Sequence, residues 1–299
     1  MNNEIMNQEN SLKLLFIINP ASGNNKRDWN KLITNYFSSY NYTIELYHLT
    51  KNCSVKTLDS KIKRFLPNQV IAVGGDGTIK MVAECILQKN IPLGILPAGS
   101  ANGLAKELKI DEDPTKALDI LTKGNLQKIH ITKINNHLCI HLSDIGLNAY
   151  AMKHFKYQGV RGMWGYLRAS LKVLWQNPIM EIEMQNDEKA FKIKAEMIVI
   201  ANGTQYGSGA IINPIGKLND THFEVITIKK ISFLEVFKMI VSHAPYDSSK
   251  TEIFQTNTLS MRSKKRVHFQ VDGEYIGKVY EIKAFLIPDA LQIIVPNAL

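Results

Sequence analysis

Over the first third of the chain, apolar residues fall in short unbroken runs, each closed by small or polar residues. Lys13-Leu-Leu-Phe-Ile-Ile-Asn19 ends in Pro20-Ala-Ser-Gly23, and Gln69-Val-Ile-Ala-Val73 ends in Gly74-Gly-Asp-Gly-Thr78. Runs of this kind predict strands buried on both faces, as in a parallel sheet covered by helices. Between them the pattern predicts a helix at roughly 27–40, a strand at 42–49 and a helix at 54–65 closed by Pro67. A further helix is expected over 78–88 and a strand over 91–96. This β-α-β-α rhythm predicts a doubly wound α/β domain, in which ligands bind at the carboxyl ends of the strands.

The pattern changes near Gly124 and Asn125. Residues 128–134 alternate in polarity, Asn135-Asn136 is a turn signal, and 137–143 alternate again, which predicts a hairpin. Helices are expected at 161–175 and 232–243, and the remaining segments are short and strand-like. The expected division is therefore an α/β domain over 1–124 and an antiparallel β-rich domain over 125–299, with no internal repeat or low-complexity segment.

Composition narrows the class. The 299 residues are 45% hydrophobic and 21% charged, a balance that supports a packed core and excludes a disordered or fibrous chain. Lys plus Arg number 36 against 27 Asp plus Glu, a net charge of +9 that points to an anionic partner. Three scattered cysteines, Cys53, Cys85 and Cys139, make no disulfide framework, so a reducing, cytoplasmic location is expected. Residues 1–10 are polar and predict no signal peptide. No apolar run reaches the ~18 residues of a spanning helix, so membrane contact is expected to be peripheral.

The chemistry concentrates in three loops. Val73-Gly-Gly-Asp-Gly-Thr-Ile79 lies between a buried strand and a helix. Its glycines let backbone approach a ligand closely, and the N–H groups at the helix start attract phosphate. Asp76 suits that setting only if a cation intervenes or if it positions another group. Asn19-Pro-Ala-Ser-Gly23 and Pro97-Ala-Gly-Ser-Ala-Asn-Gly103 follow two other strands of the same sheet. Each alone reads as a turn; three at one sheet edge read as a shared phosphate cradle. The Walker-type Gly-x-x-x-x-Gly-Lys-Ser/Thr loop, a complete dinucleotide fingerprint and His-Glu-x-x-His are absent from the sequence.

These loops, together with Val271-Asp-Gly-Glu274, resemble in order and spacing the motifs of the diacylglycerol kinase catalytic-domain superfamily, which includes sphingosine and ceramide kinases and soluble bacterial lipid kinases. The Gly-Gly-Asp-Gly-Thr core alone is shared with NAD kinases. The resemblance spans about 14–296. It implies an ATP-binding α/β domain followed by a β-sandwich-like domain, with the active site in the cleft between them. The implied reaction transfers the γ-phosphoryl of Mg-ATP to a lipid hydroxyl at the membrane surface, with diacylglycerol the first choice and phosphatidic acid the product. A sphingoid base, NAD as acceptor, and a non-catalytic nucleotide-binding module are the alternatives.

Carried over by position, Asn19, Pro20, Ser22, Gly23, Gly74, Gly75, Asp76, Gly77, Thr78, Ser100 and Asn102 would meet the nucleotide or its magnesium, as would Thr50 at the end of the second strand. Glu274 falls where bacterial members place a catalytic carboxylate, with Asp76 second in line as the base. Lys217, Asp220 and His222 fall where those members hold a structural Mg2+ partly through backbone carbonyls. Two positions depart from the family pattern: Lys80 stands where Asn or His is usual, and Asp220-Thr221 replaces the usual Asp-Gly.

Other features carry less. His137, Cys139 and His141 alternate toward one strand face, but no fourth zinc ligand is evident and a packed face is expected. The aromatic and basic 161–175 segment reads either as an interfacial helix or as a core helix with solvated charges. The basic run 262–266 reads either as an attractor of acidic headgroups or as a solvated hairpin tip. No nucleic-acid motif is present. A homodimer is admitted as a partner, because no residue pattern fixes the oligomeric state.

Overall fold

The computed structural model describes residues 11–23, 27–158, 179–206, 210–232 and 246–297, with 234, 235, 238 and 242 between the last two. The expected helix at 161–175 and residues 1–10 lie outside the described residues. The chain forms two compact units, one of residues Met1–Gln127 with Leu291–Leu299, the other Lys128–Ala290.

The first unit opens with β1 (Leu12–Ile18), α1 (Trp29–Phe37), β2 (Tyr42–His48), α2 (Val55–Phe65) and β3 (Gln69–Gly74). It continues with α3 (Asp76–Ile86), β4 (Leu93–Pro97), α4 (Gly103–Glu107) and α5 (Pro114–Lys123). The strands run parallel in the order β2-β1-β3-β4. Residues 14–18, 70–74 and 93–97 are wholly buried, as the unbroken apolar runs require. Helix starts follow local chemistry. Asp28 accepts from the Lys31 N–H, Ser54 from that of Thr57, and Asp113 from those of Thr115 and Lys116, ahead of Pro114 at the first helical position. Leu66 ends α2 in the left-handed region, just before Pro67.

The second unit is antiparallel. Its elements are β5 (Asn125–Ile134), β6 (His137–Cys139), β7 (Leu142–Gly146), α6 (Leu147–Gln158), β8 (Met180–Asn186), β9 (Ala190–Ala195), β10 (Met197–Ala201) and β11 (Phe223–Ile228). Then come β12 (Thr251–Thr256), β13 (Thr258–Val271) and β14 (Glu274–Val295). The main order is β12-β11-β10-β7-β13-β14; β8 pairs with both β13 and β9, and β5 with β6 and β14. Phe223, Phe269, Ile198, Ile200 and Met261 anchor one core, while Val199, Ile226, Ile228 and Leu142 anchor another. From the expected helix at 232–243, residues 234, 235, 238 and 242 are helical and 232 is not.

Four expectations are corrected. First, α3 begins at Asp76 rather than Thr78, so the acid and Gly77 belong to a helical turn and not to a free loop. Second, the strand expected over 137–143 is broken. β6 pairs with β5 across Asn135-Asn136, but β7 pairs with β10 and β13. His137, Cys139 and His141 therefore do not share one strand face. Third, residues 291–299 belong to the first unit: the end of β14 runs parallel to β4, with Ile293 opposite Leu93. Ile293 and Ile294 are buried there, which gives the apolar end of the chain its place.

Fourth, the basic run 262–266 lies within β13 and not at a hairpin tip. Arg262 faces Glu281 at 3.9 Å and Lys264 faces Glu181 at 3.6 Å. The Arg266 guanidinium donates to the Lys278 carbonyl at 2.9 Å. Cross-strand carboxylates thus balance part of the run.

Candidate active site

Each of the three loops is held by the next. Asn19 leaves β1 with its side chain in a local turn, its Oδ1 accepting from the Ala21 N–H at 3.0 Å and its Nδ2 donating to Thr78 Oγ1 at 3.0 Å. That bond ties the first loop to the first turn of α3. Gly23, at φ +62°, lies so close to the third loop that a Cβ would come within 2.6 Å of the Ala98 carbonyl. Gly75 and Gly99 meet backbone to backbone, and a Cβ on Gly99 would sit 2.5 Å from the Gly75 Cα.

Asp76 joins the second loop to the third. Its Oδ2 accepts from the Gly103 N–H and its Oδ1 from the Leu104 N–H, both at 3.0 Å. The carboxylate therefore caps the start of α4, where the preceding Asn102 is in the left-handed region and cannot cap with its own side chain. Asn102 is instead spent inside the loop. It accepts from the Gly99 N–H at 2.8 Å and donates to the Gly99 carbonyl at 3.1 Å and to Glu112 at 3.2 Å.

At the start of α3, Gly75 supplies no side-chain cap. A Cβ at exposed Gly77 would meet nothing within 4 Å. Uncapped N–H groups at a helix start carry partial positive charge, which attracts anions. Exposed Ser100 and Thr50 border this sheet edge from the ends of β4 and β2.

In the second unit, Val271-Asp-Gly-Glu274 forms the tight turn between β13 and β14, with Asp272 at φ 48° and Gly273 at φ 79°. Asp272 is not a solvated acid. Its carboxylate accepts from the N–H groups of Ile140 at 3.2 Å and His141 at 3.0 Å, with Leu142 at 3.4 Å. This is also why the strand breaks after β6: those amides point at a carboxylate instead of a neighbouring strand. Glu274 is exposed, and its carboxylate has no partner among the described residues.

Asp220 is half-buried with its carboxylate likewise unpartnered, and the Lys217 carbonyl accepts from the Asp220 N–H at 3.0 Å. His222 is half-buried, with Nδ1 3.0 Å from Thr221 Oγ1. Among the described residues, no group of three or more His, Cys, Asp and Glu side chains comes together as a metal cluster.

The diacylglycerol kinase catalytic-domain model matches residues 13–134. A second model, the YegS C-terminal NAD kinase beta sandwich-like domain, matches residues 144–295, half of the chain. The chain belongs to the diacylglycerol kinase catalytic-domain superfamily. It is therefore a kinase, a phosphotransferase of a lipid kinase family. It is 26% identical over 217 residues to a diacylglycerol kinase of Staphylococcus saprophyticus, covering 70% of this chain and 71% of that one. To a diacylglycerol kinase of Staphylococcus aureus strain RF122 it is 27% identical, covering 70% and 69%.

Among solved structures, a diacylglycerol kinase from Bacillus anthracis superposes with a TM-score of 0.70 at 17% identity, covering 95% of this chain and 96% of that chain. An NAD kinase from Archaeoglobus fulgidus in complex with ATP superposes with a TM-score of 0.56 at 12% identity, covering 95% and 93%. At these identities the superpositions establish the shared fold.

Two residues missed by sequence reasoning belong to the surroundings of Glu274. Asp144, on β7, is 1% exposed, and Gln270, on β13, is fully buried. Burial raises the Asp144 carboxyl to about 6, against the pull of hydrogen bonds from Asn148, Gln270 and Tyr206. The signal was present: an acid in the middle of Leu142-Ser-Asp-Ile-Gly146, where a buried strand ordinarily has none.

Proposed function

We propose that the protein transfers the γ-phosphoryl group of ATP to the hydroxyl of diacylglycerol at a lipid surface, yielding phosphatidic acid. The observation that carries this reading is the mutually bonded set of three loops, which leaves the first turn of α3 uncapped and the space at Gly77 open. Phosphoryl transfer asks for positioning and charge stabilisation more than covalent help, and fixed backbone amides supply both. Asn19, Gly75, Gly77 and Thr78 then hold the phosphates, and Ser22, Ser100 and Thr50 line the nucleotide's approach.

Asp76 serves this reading as an organiser, because both its oxygens already accept N–H groups of α4. Glu274 serves as the base that takes the proton from the lipid hydroxyl, being exposed and unpartnered among the described residues. Magnesium, when bound, neutralises charge on the triphosphate. At the second, structural position, the free Asp220 carboxylate with the carbonyls of Lys217 and His222 forms an all-oxygen donor set, which suits a hard cation.

The test incubates the protein with labelled ATP, magnesium and vesicles carrying diacylglycerol or sphingosine, with NAD as a separate soluble acceptor. Label in phosphatidic acid is expected. Label in NADP alone, or in no product, overturns the reading.

A further inference from the structure

The two-residue turn that carries Glu274 is pinned at both central residues. Asp272 is held through its carboxylate by the amides that precede β7. The Gly273 N–H donates to Gln270 Oε1 at 2.7 Å. Gln270 is fully buried, and its Oε1 reaches out to the exposed turn.

An amide side chain has an accepting end and a donating end, and only one orientation offers an oxygen to Gly273. The other end of Gln270 settles which. Its Nε2 donates to Asp144 Oδ2 at 2.6 Å. The same oxygen receives Asn148 Nδ2 at 2.5 Å and the Tyr206 hydroxyl at 3.1 Å. Flipping Gln270 would set its carbonyl against that carboxylate and its NH2 against the Gly273 N–H, two repulsive buried pairs.

Asp144 Oδ1 is buried and accepts no side-chain hydrogen bond. A buried carboxylate carries a desolvation cost that an amide or apolar residue here would not carry.

We propose that Gln270 is a positioning residue for Glu274, its amide locked in one orientation by the buried Asp144 carboxylate. The inference rests on Glu274 being the base of the kinase reading. It extends the working site from one exposed glutamate to a line of hydrogen bonds running from the interior strand β7, through β13, to the turn. Among the described residues, Tyr206 is the other titratable group on Asp144. His268, two positions before Gln270, bonds Tyr275 at 2.9 Å and stacks on Tyr150 of α6.

The test compares wild type, Q270L and Q270E in lipid phosphorylation with saturating ATP and diacylglycerol, alongside circular dichroism and hydrogen exchange at the Gly273 amide. Q270L keeps the shape and loses both bonds. Its kcat should fall about 10²-fold, the cost of misplacing a reacting group by an ångström. Its KM for ATP should stay within about twofold, since ground-state binding is untouched. The Gly273 amide should exchange faster.

Q270E keeps the acceptor for Gly273 but opposes a second carboxylate to Asp144, so the pair must share a proton. Its kcat relative to wild type should therefore rise as pH is lowered, a signature that lost packing would not give. A folded Q270L with wild-type kcat, or with unchanged Gly273 exchange, overturns the inference. If Q270L does not fold, a Q270E profile parallel to wild type at every pH overturns it. A wild type inactive on every lipid overturns the kinase reading and this inference together; an active wild type matched by its variants overturns only the inference.

Discussion

Asp76 and Gly77 are adjacent and do opposite things. Asp76 faces inward to the amides of Gly103 and Leu104, whereas Gly77 faces open space. Gly77→Ala should stabilise α3 by up to about 1 kcal/mol, because glycine is the poorer helix former. The same change should weaken ATP binding by filling the phosphate's approach. Thermal melts and nucleotide titration read the two effects separately, and a variant that is more stable yet binds ATP as wild type does would remove Gly77 from the site. Asp76→Ala strips two amides of their acceptor and should cost about 1–3 kcal/mol, together with loss of turnover.

Asp144 makes a pH-dependent prediction at the same scale. Its carboxyl is raised from 3.8 to about 6 by burial, so the folded chain binds a proton that the unfolded chain releases. Stability contributed by the protonated form is full below about pH 4 and is lost as pH rises through about 6, a penalty of roughly 3 kcal/mol at neutral pH. Asp144→Asn should remove that slope, as read from the difference between the two unfolding curves across pH 4–7.

At the scale of elements, the loops work as one because glycines let their backbones touch. Gly99→Ala would press a methyl group against the Gly75 backbone. That should cost about 1–3 kcal/mol, as overpacking does, and should lower ATP affinity even though Gly99 need not touch ATP. Sequence reasoning placed these loops at one sheet edge because each follows an apolar run. It left α3 two residues short, because Gly75-Asp-Gly77 looks like loop and only the backbone shows it turning into helix. It also read 137–143 as a single arm. No local pattern shows that Asp272, more than a hundred residues later, takes the amides of 140–142.

At the scale of the whole chain, the first unit depends on residues from the far end. Ile293 and Ile294 are buried within it, and each fully buried side chain of this size contributes about 1.5–3 kcal/mol. A chain ending at Ala290 should therefore lose cooperative unfolding of the first unit, as monitored by fluorescence of Trp29 on α1. An unchanged unfolding midpoint would show that the terminal segment is dispensable. Among the described residues no helix is long and apolar enough to cross a membrane.

By itself the sequence determined the α/β rhythm of the first unit, the antiparallel character of the second, the three glycine-rich loops and the family. All of these follow from runs, alternation and motifs that are local in the chain. Only the tertiary structure decided that Asp76 caps a helix, that Asp272 grips the β6–β7 link, that Gln270 and Asp144 brace the Glu274 turn, and that the end of β14 joins the first sheet. Those are pairings between distant residues. Their energies come from burial and from matching donors to acceptors in space, and neither leaves a periodic trace along the chain.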